Sequence, residues 1–247
     1  MAYHALHGPA GTSRTARLIF ALGLAVLTAA CAQTRSAGPE VALKPHEGPL
    51  SVLLMPADVE LSLLTTGGML EPHAEWTEQG RSNVVAALKE ELAERSIAVV
   101  SYGDDSVATY QIAPEHEQLT KLHEAVGGAI MLHSYAPGFA LPTKKAKFDW
   151  TLGDGVKELG EAKEADYALF VFAEDSFSSD GRVALNIALV LLGAGAHGGQ
   201  QTAFASLVDL ESGAVVWFNV LHSKHGDLRD PKLARQAIDQ LLDSSPL

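Results

Sequence analysis

The run from Asp166 to Phe172 (Asp-Tyr-Ala-Leu-Phe-Val-Phe) is the feature that most narrows the fold, because apolar residues at consecutive positions mark a central β-strand. Two further runs, Thr202 to Leu210 and Ala214 to Leu221, are separated by Glu211-Ser-Gly213, a turn signal that predicts a β-hairpin. Earlier in the chain, Leu50 to Met55 is a short apolar run stopped by Pro56, and Ile97 to Tyr102 is a second candidate strand. Between them, Trp76, Val84, Leu88 and Leu92 recur at four-residue spacing, which predicts an amphipathic helix over 73–96 with Glu90, Glu91, Glu94 and Arg95 on its wet side. Strand, helix and strand in that order predict parallel pairing.

A second helix is predicted from Pro114 to Ser134. Leu119, Leu122, Val126, Ile130 and His133 would form its inner stripe, and Pro114 suits a first turn. A third helix is expected over 152–163 after a loop at 137–147, and a last one from Pro231 to Leu242. Residues 183–192 are so uniformly apolar that periodicity cannot decide between helix and strand. The fold class expected is α/β, a single mixed sheet of about five strands with a C-terminal hairpin, flanked by helices.

The N-terminal region reads as targeting rather than fold. Residues 1–17 are polar and contain Arg14 and Arg17, and Leu18 to Ala30 then runs without a charge. Such an apolar stretch is too short for a spanning helix of about 20 residues and has the form of an export signal. It ends in Leu27-Thr-Ala-Ala-Cys31, and Cys31 is the single cysteine of the chain. Ala29 and Ala30 before Cys31 resemble the cleavage motif of bacterial lipoprotein signals, with Thr28 standing where leucine is commonest. That resemblance implies removal of residues 1–30 and lipid, palmitate among the possible chains, on Cys31. Ordinary signal cleavage after Ala30 stays open. Ala32, where an Asp would favour inner-membrane retention, implies the periplasmic face of the outer membrane. Residues 31–49, with three prolines, read as a lipidated flexible tether to a domain over 50–247.

Composition supports a globular domain. Charged residues make up 19% of the chain and apolar ones 47%, enough for a sizeable core. The formal net charge of −12 repels phosphate backbones, so a nucleic-acid partner is not expected. One cysteine cannot form an intramolecular disulfide or a cysteine-based zinc site.

The stretch Ala205 to Trp217, with Asp209 closing one strand, Gly213 in the turn and Trp217 in the next strand, resembles a hairpin of periplasmic lipoproteins of the curli-secretion and penicillin-binding-protein-activator type. The Ala165-Asp-Tyr-Ala-Leu start of the central strand adds to it. The resemblance implies an assembly or scaffolding role in the envelope, with no catalytic residues to carry over.

Chemical candidates are sparse. Gly193-Ala-Gly-Ala-His-Gly198 spells G-x-G-x-x-G, but the residues after Gly198 alternate like a strand, whereas a dinucleotide site needs a helix there. No cofactor is expected. His222 and His225, with Asp227 and Asp230 nearby, are weak metal candidates, since a three-residue offset on a strand sends side chains to opposite faces. Glu174 and Asp175 read as the solvated end of the central strand. Lys144, Lys145 and Lys147 with Phe148 and Trp150 read as a solvated loop. The expected function is a lipid-anchored envelope binding or assembly module, non-catalytic, with an envelope protein or a second copy as partner. The alternative is an envelope hydrolase or metal-dependent enzyme using His222 and His225.

Overall fold

The computed structural model describes residues 33–37, 43, 50–103, 113–136, 138–144, 147–194 and 198–247. The export segment and Cys31 lie outside the described residues. The elements are β1 (Gln33–Ala37), β2 (Ser51–Leu54), β3 (Asp58–Leu64), β4 (Leu70–Pro72), α1 (Ala74–Glu94) and β5 (Ala98–Ser101). Then come α2 (Pro114–Ile130), running on into a π-helical turn, α3 (Val156–Lys163), β6 (Tyr167–Ser178), α4 (Asp180–Leu191), β7 (Gln201–Asp209), β8 (Val215–Ser223) and α5 (Pro231–Leu242).

All eight described strands belong to one mixed sheet, in the order β1-β8-β7-β6-β2-β5, with β3 beside the second half of β6 and β4 beside β3. The expected α/β class and the hairpin are therefore present: β7 and β8 pair antiparallel, and β2 is parallel to both β5 and β6. The five strands expected from the sequence correspond to β2, β5, β6, β7 and β8.

Three strands exceed the expectation. Pro56 does not end the first strand region but interrupts it. Val52 pairs with Tyr167 and Asp58 with Phe172, so the ladder along β6 resumes with a one-residue slip. A residue without a backbone N–H breaks a ladder locally, and the slip swaps the inward set from even positions (Val52, Leu54) to odd ones (Val59, Leu61). β4 folds back on β3 through the Thr65 to Gly68 turn. β1 lies in the segment read as a tether: Gln33 to Ala37 pair antiparallel with β8 as an edge strand.

The core has two layers, one on each face of the sheet. One contains Val59, Leu61, Leu169, Val171 and Leu207, covered by Val84, Leu88 and Leu92 of α1 and by Ile238, Leu241 and Leu242 of α5. The other contains Leu53, Phe170, Phe172, Phe204 and Phe218, covered by Leu119 and Ile130 of α2 and Leu159 of α3. Two readings of the helix faces need correction. Glu91, assigned to the wet side of α1, is 8% exposed and clamped between Arg95 and Arg235, 2.7 Å from each. On α2 the inner stripe is rotated: Leu122 is exposed, His133 is half-buried in the π-helical turn, and Thr120, His123 and Gly127 face inward with Leu119 and Ile130. Gly127 sets that rotation, since a Cβ there would collide with the Phe204 ring.

Candidate functional site

β6 carries alternating side chains to the two faces, so its far half decides what each face presents. On the α2 face, Ala168, Phe170 and Phe172 lie in the core and Glu174 and Ser176 come next beyond them. The register lines up Glu60, Glu174, Thr202, His222 and Gln33 across β3, β6, β7, β8 and β1. Glu60, Glu174 and Thr202 of this row line a cavity of about 180 Å³, with Ser62, Leu70, Asp175, Ser176 and Gln200 around it. Partial burial pushes the Glu174 carboxyl up from its ordinary value, and Glu60, Glu124 and Asp58 push it the same way. Lys121 of α2 partly offsets that charge, reaching Asp58 at 3.2 Å and Glu124 at 3.3 Å.

The predicted metal candidates flank this end without forming a ligand set. His222 is exposed and its Nδ1 lies 3.3 Å from Thr202 Oγ1. His225 is exposed after the end of β8, its backbone N–H donating to Ser223 Oγ. The carboxylates nearby have other tasks: Asp227 accepts two hydrogen bonds from the Arg229 guanidinium, and Asp230 caps the first turn of α5 through the N–H groups of Lys232 and Leu233. Among the described residues no group of three or more His, Cys, Asp or Glu is placed to hold a metal ion.

Asp175 corrects the reading of Glu174 and Asp175 as a solvated strand end. It points to the opposite face from Glu174 and is buried, its Oδ2 accepting from the Leu228 N–H at 3.0 Å and from Gln201 Nε2 at 3.5 Å. Burial pushes its carboxyl up to about 7; the bond from Leu228 pulls it down and the charge of Asp227 pushes it further up. The carboxyl thereby pins the 227–229 loop onto the sheet.

A second pair was not legible in the sequence. His123 Nε2 and Ser206 Oγ lie 2.8 Å apart, with the imidazole stacked on Phe170 at 4.9 Å and tilted against Phe204 at 5.2 Å. The spacing matches a nucleophile and base, but both residues are at most 2% exposed. Burial depresses the imidazole to about 3, so it stays neutral and acts as a core hydrogen-bonding group. The signal that could have found it is the stripe Leu119, His123, Gly127, Ile130 at three- and four-residue steps.

The residues that carry the hairpin resemblance shape the turn. Asp209 Oδ1 accepts from the Ser212 N–H and hydroxyl at 2.8 and 2.9 Å. Gly213 has φ of 72°, and a Cβ there would collide with Gly153 O. Trp217 packs into the α1 face. Beside this turn is a cavity of about 640 Å³ lined by Glu161, Glu164, Asp166, Asp209 and Glu211 with Lys157. The basic loop is engaged at Lys144, which pairs with Asp149 at 2.8 Å and lies 4.4 Å over Trp150; Lys145 is outside the described residues. Of the glycine motif, residues 195–197 are likewise outside them, and the next element is β7 rather than a helix.

The ambiguous apolar run is helix α4, capped by Ser179, whose hydroxyl accepts from the Arg182 N–H. None of its residues is buried.

No family model matches the chain, and no curated protein matches it. Solved structures similar to it include a PelC dodecamer from Paraburkholderia phytofirmans, at 14% identity and a TM-score of 0.38 over 87% of this chain and 96% of that one. A single-substitution variant of the same dodecamer matches at 16% identity and a TM-score of 0.36, over 88% and 98%. Superposition this loose carries no argument about this chain.

Proposed function

We propose that this chain is a lipid-anchored envelope lipoprotein whose α/β domain binds or assembles with other envelope components and performs no catalysis. The observation that carries the reading is the charge-free run Leu18 to Ala30 ending at Cys31, two residues before the chain enters the sheet as β1. An anchor so placed would tie the domain closely to the membrane, without the long tether expected over 31–49. Two or more acyl chains would make attachment stable where one is marginal. The absence of Asp at position 32 favours the outer membrane. A non-catalytic role fits the chemistry of the described residues: the serine–histidine pair is sealed in the core, and the carboxylates beside His225 are held by Arg229 and by a helix cap.

The test is palmitate incorporation into the full chain expressed in a bacterial host. The parent should be labelled and sediment with membranes after carbonate washing, and Cys31→Ser should lose the label. An unlabelled parent overturns the anchor. Crosslinking in cells followed by recovery of the labelled form should yield either an envelope protein or a second copy. One equivalent of bound metal with hydrolytic activity lost in His222→Ala would replace this reading with the enzymatic one.

A further inference from the structure

Between Ser178 and Gly199 the chain leaves the end of β6, forms α4 and returns beside its starting point: a Cβ on Gly199 would touch Ser176 O, and one on Gly198 would lie 4.0 Å from Ser178 Oγ. The excursion presents apolar side chains with no cover. Ile187 is 59% exposed, Val190 57%, Leu191 81% and Leu192 83%. Between Val183 and Leu192 the single polar residue is Asn186, and no charge occurs. At about 100° per residue, Val190, Leu191 and Leu192 alone span roughly 200° of the helix circumference. A helix whose exposed residues from Val183 onward are all apolar has no wet side there to present to water. Met69, 67% exposed, adds to the same end, because its neighbour Gly68 is held against the Arg182 guanidinium at the start of α4.

The register shows what else is at this end. Asp175 pairs with Gln201, Thr202 with His222 and His222 with Gln33, so the far end of β6, the start of β7, the end of β8 and the entry of the chain into β1 share one edge of the sheet. Gln33 is two residues from Cys31 and three from the end of the charge-free run 18–30. The segment expected to bind lipid therefore joins the domain at the end from which α4 projects.

We infer that α4 dips into the lipid bilayer as a second, non-covalent membrane contact, fixing the orientation of the domain with the β7–β8 turn pointing away from the membrane. The inference rests on the anchored reading proposed above. A rigid protein partner packs against a narrow stripe of a helix, whereas hydrocarbon can cover the broad arc that Ile187, Val190, Leu191 and Leu192 expose, leaving the less exposed side with Arg182, Asn186 and Leu189 towards the domain. Twelve residues make a helix about 18 Å long, short of the roughly 30 Å hydrocarbon core, so α4 enters one leaflet and does not span. Its one cation, Arg182, is partly buried in the first turn with its guanidinium 3.5 Å from Thr66 O, and the chain carries a net charge of −12, so the helix takes an uncharged lipid surface rather than an anionic one.

The test uses the full chain purified from host membranes, with Ile187→Cys or Leu191→Cys supplying a thiol for an environment-sensitive fluorophore, and Glu211→Cys in the β7–β8 turn as the reference. The labelled chains are placed in vesicles of phosphatidylethanolamine and phosphatidylcholine. Labels at 187 and 191 should shift to the blue, be quenched by nitroxide on the acyl chains and be shielded several-fold from aqueous iodide, while the label at 211 should behave oppositely. Intact mass reports separately whether Cys31 carries lipid, so loss of the anchor and loss of insertion are distinguishable. Vesicle-bound chains whose label at 191 is quenched by iodide as fully as that at 211 overturn the inference and leave the anchor standing. Disulfide linkage between copies through position 191 overturns it in favour of a protein interface.

Discussion

On the α1 face of the sheet the helical cover follows β6 past Ala173, and Asp175 lies beneath the loop that leads into α5; on the α2 face the core ends at Phe172 and Glu174 meets a polar cavity. On each face burial also disfavours the charge of an ionisable group, and it moves the two in opposite directions. His123 on the α2 face is held neutral with its imidazole at about 3, and Asp175 on the α1 face is pushed up to about 7. The contrast teaches that desolvation alone does not fix the consequence of a buried titrating group. It disfavours the charged form in both cases, so an acid destabilises the fold at high pH and a base destabilises it at low pH.

The largest effect expected is that of His123. Its folded value lies below its unfolded one, so the unfolded chain binds the extra proton as pH falls from about 6.5 to about 3, and stability drops across that window. At about 1.36 kcal/mol per unit the loss approaches roughly 4–5 kcal/mol at the acid end. Removing the pair cleanly, with His123→Leu and Ser206→Ala together, should abolish this share of the pH dependence in denaturant titrations between pH 3 and 7. An unchanged slope would mean that His123 is already charged in the folded chain.

Asp175 has the opposite sign. Its folded value lies above its unfolded one, so the folded chain holds the extra proton between about pH 4 and 7, and stability falls as pH rises through that window. Asp175→Asn keeps an acceptor for the Leu228 N–H and removes the charge. It should stabilise the chain by roughly 2–4 kcal/mol at pH 8 and by little at pH 4, read as the shift in denaturation midpoint. In the parent the two slopes largely cancel between pH 4 and 6.5, so each variant should expose the slope of the other group. Two variants that both leave a flat profile would break the comparison between the faces.

The residues behind these effects differ in how far the sequence disclosed them. The Asp166 to Phe172 run and the β7–β8 hairpin were legible because apolar runs and a Gly turn are local signals. β3 was legible in principle, since Val59 and Leu61 alternate with Asp58, Glu60 and Ser62; Pro56 hid it, as a prolyl break reads like a strand end when it is a register slip. β1 was not legible: Gln-Thr-Arg-Ser-Ala has no apolar period, and only pairing with β8 makes it a strand. The rotation of α2 and the His123–Ser206 contact depend on Gly127 meeting Phe204, residues separated in sequence by the whole of α3, β6 and α4, so the stripe on α2 marks one partner and no local pattern marks the other. The exposure of α4 was hidden for a related reason: a uniformly apolar run looks the same whether its partner is the core or something outside the chain.

The smallest effect tests the open half of the α2 face. Glu174 and Glu60 are directly opposite on neighbouring strands, and like charges so placed are destabilising. Water reaches Glu174, so most of the repulsion is screened, and Glu174→Gln should stabilise the chain by only about 0.5 kcal/mol at pH 7. Because desolvation of Glu174 is joined by repulsion from Glu60, Glu124 and Asp58, the gain should shrink when salt shortens the Debye length from about 10 Å at 0.1 M to about 3 Å at 1 M. The Asp175→Asn gain should barely respond to the same salt, since its main cause is burial. Equal salt sensitivity at the two neighbouring positions would mean that the α1 face admits water near Asp175 as freely as the α2 face does near Glu174, and the difference between a closed and an open face would disappear.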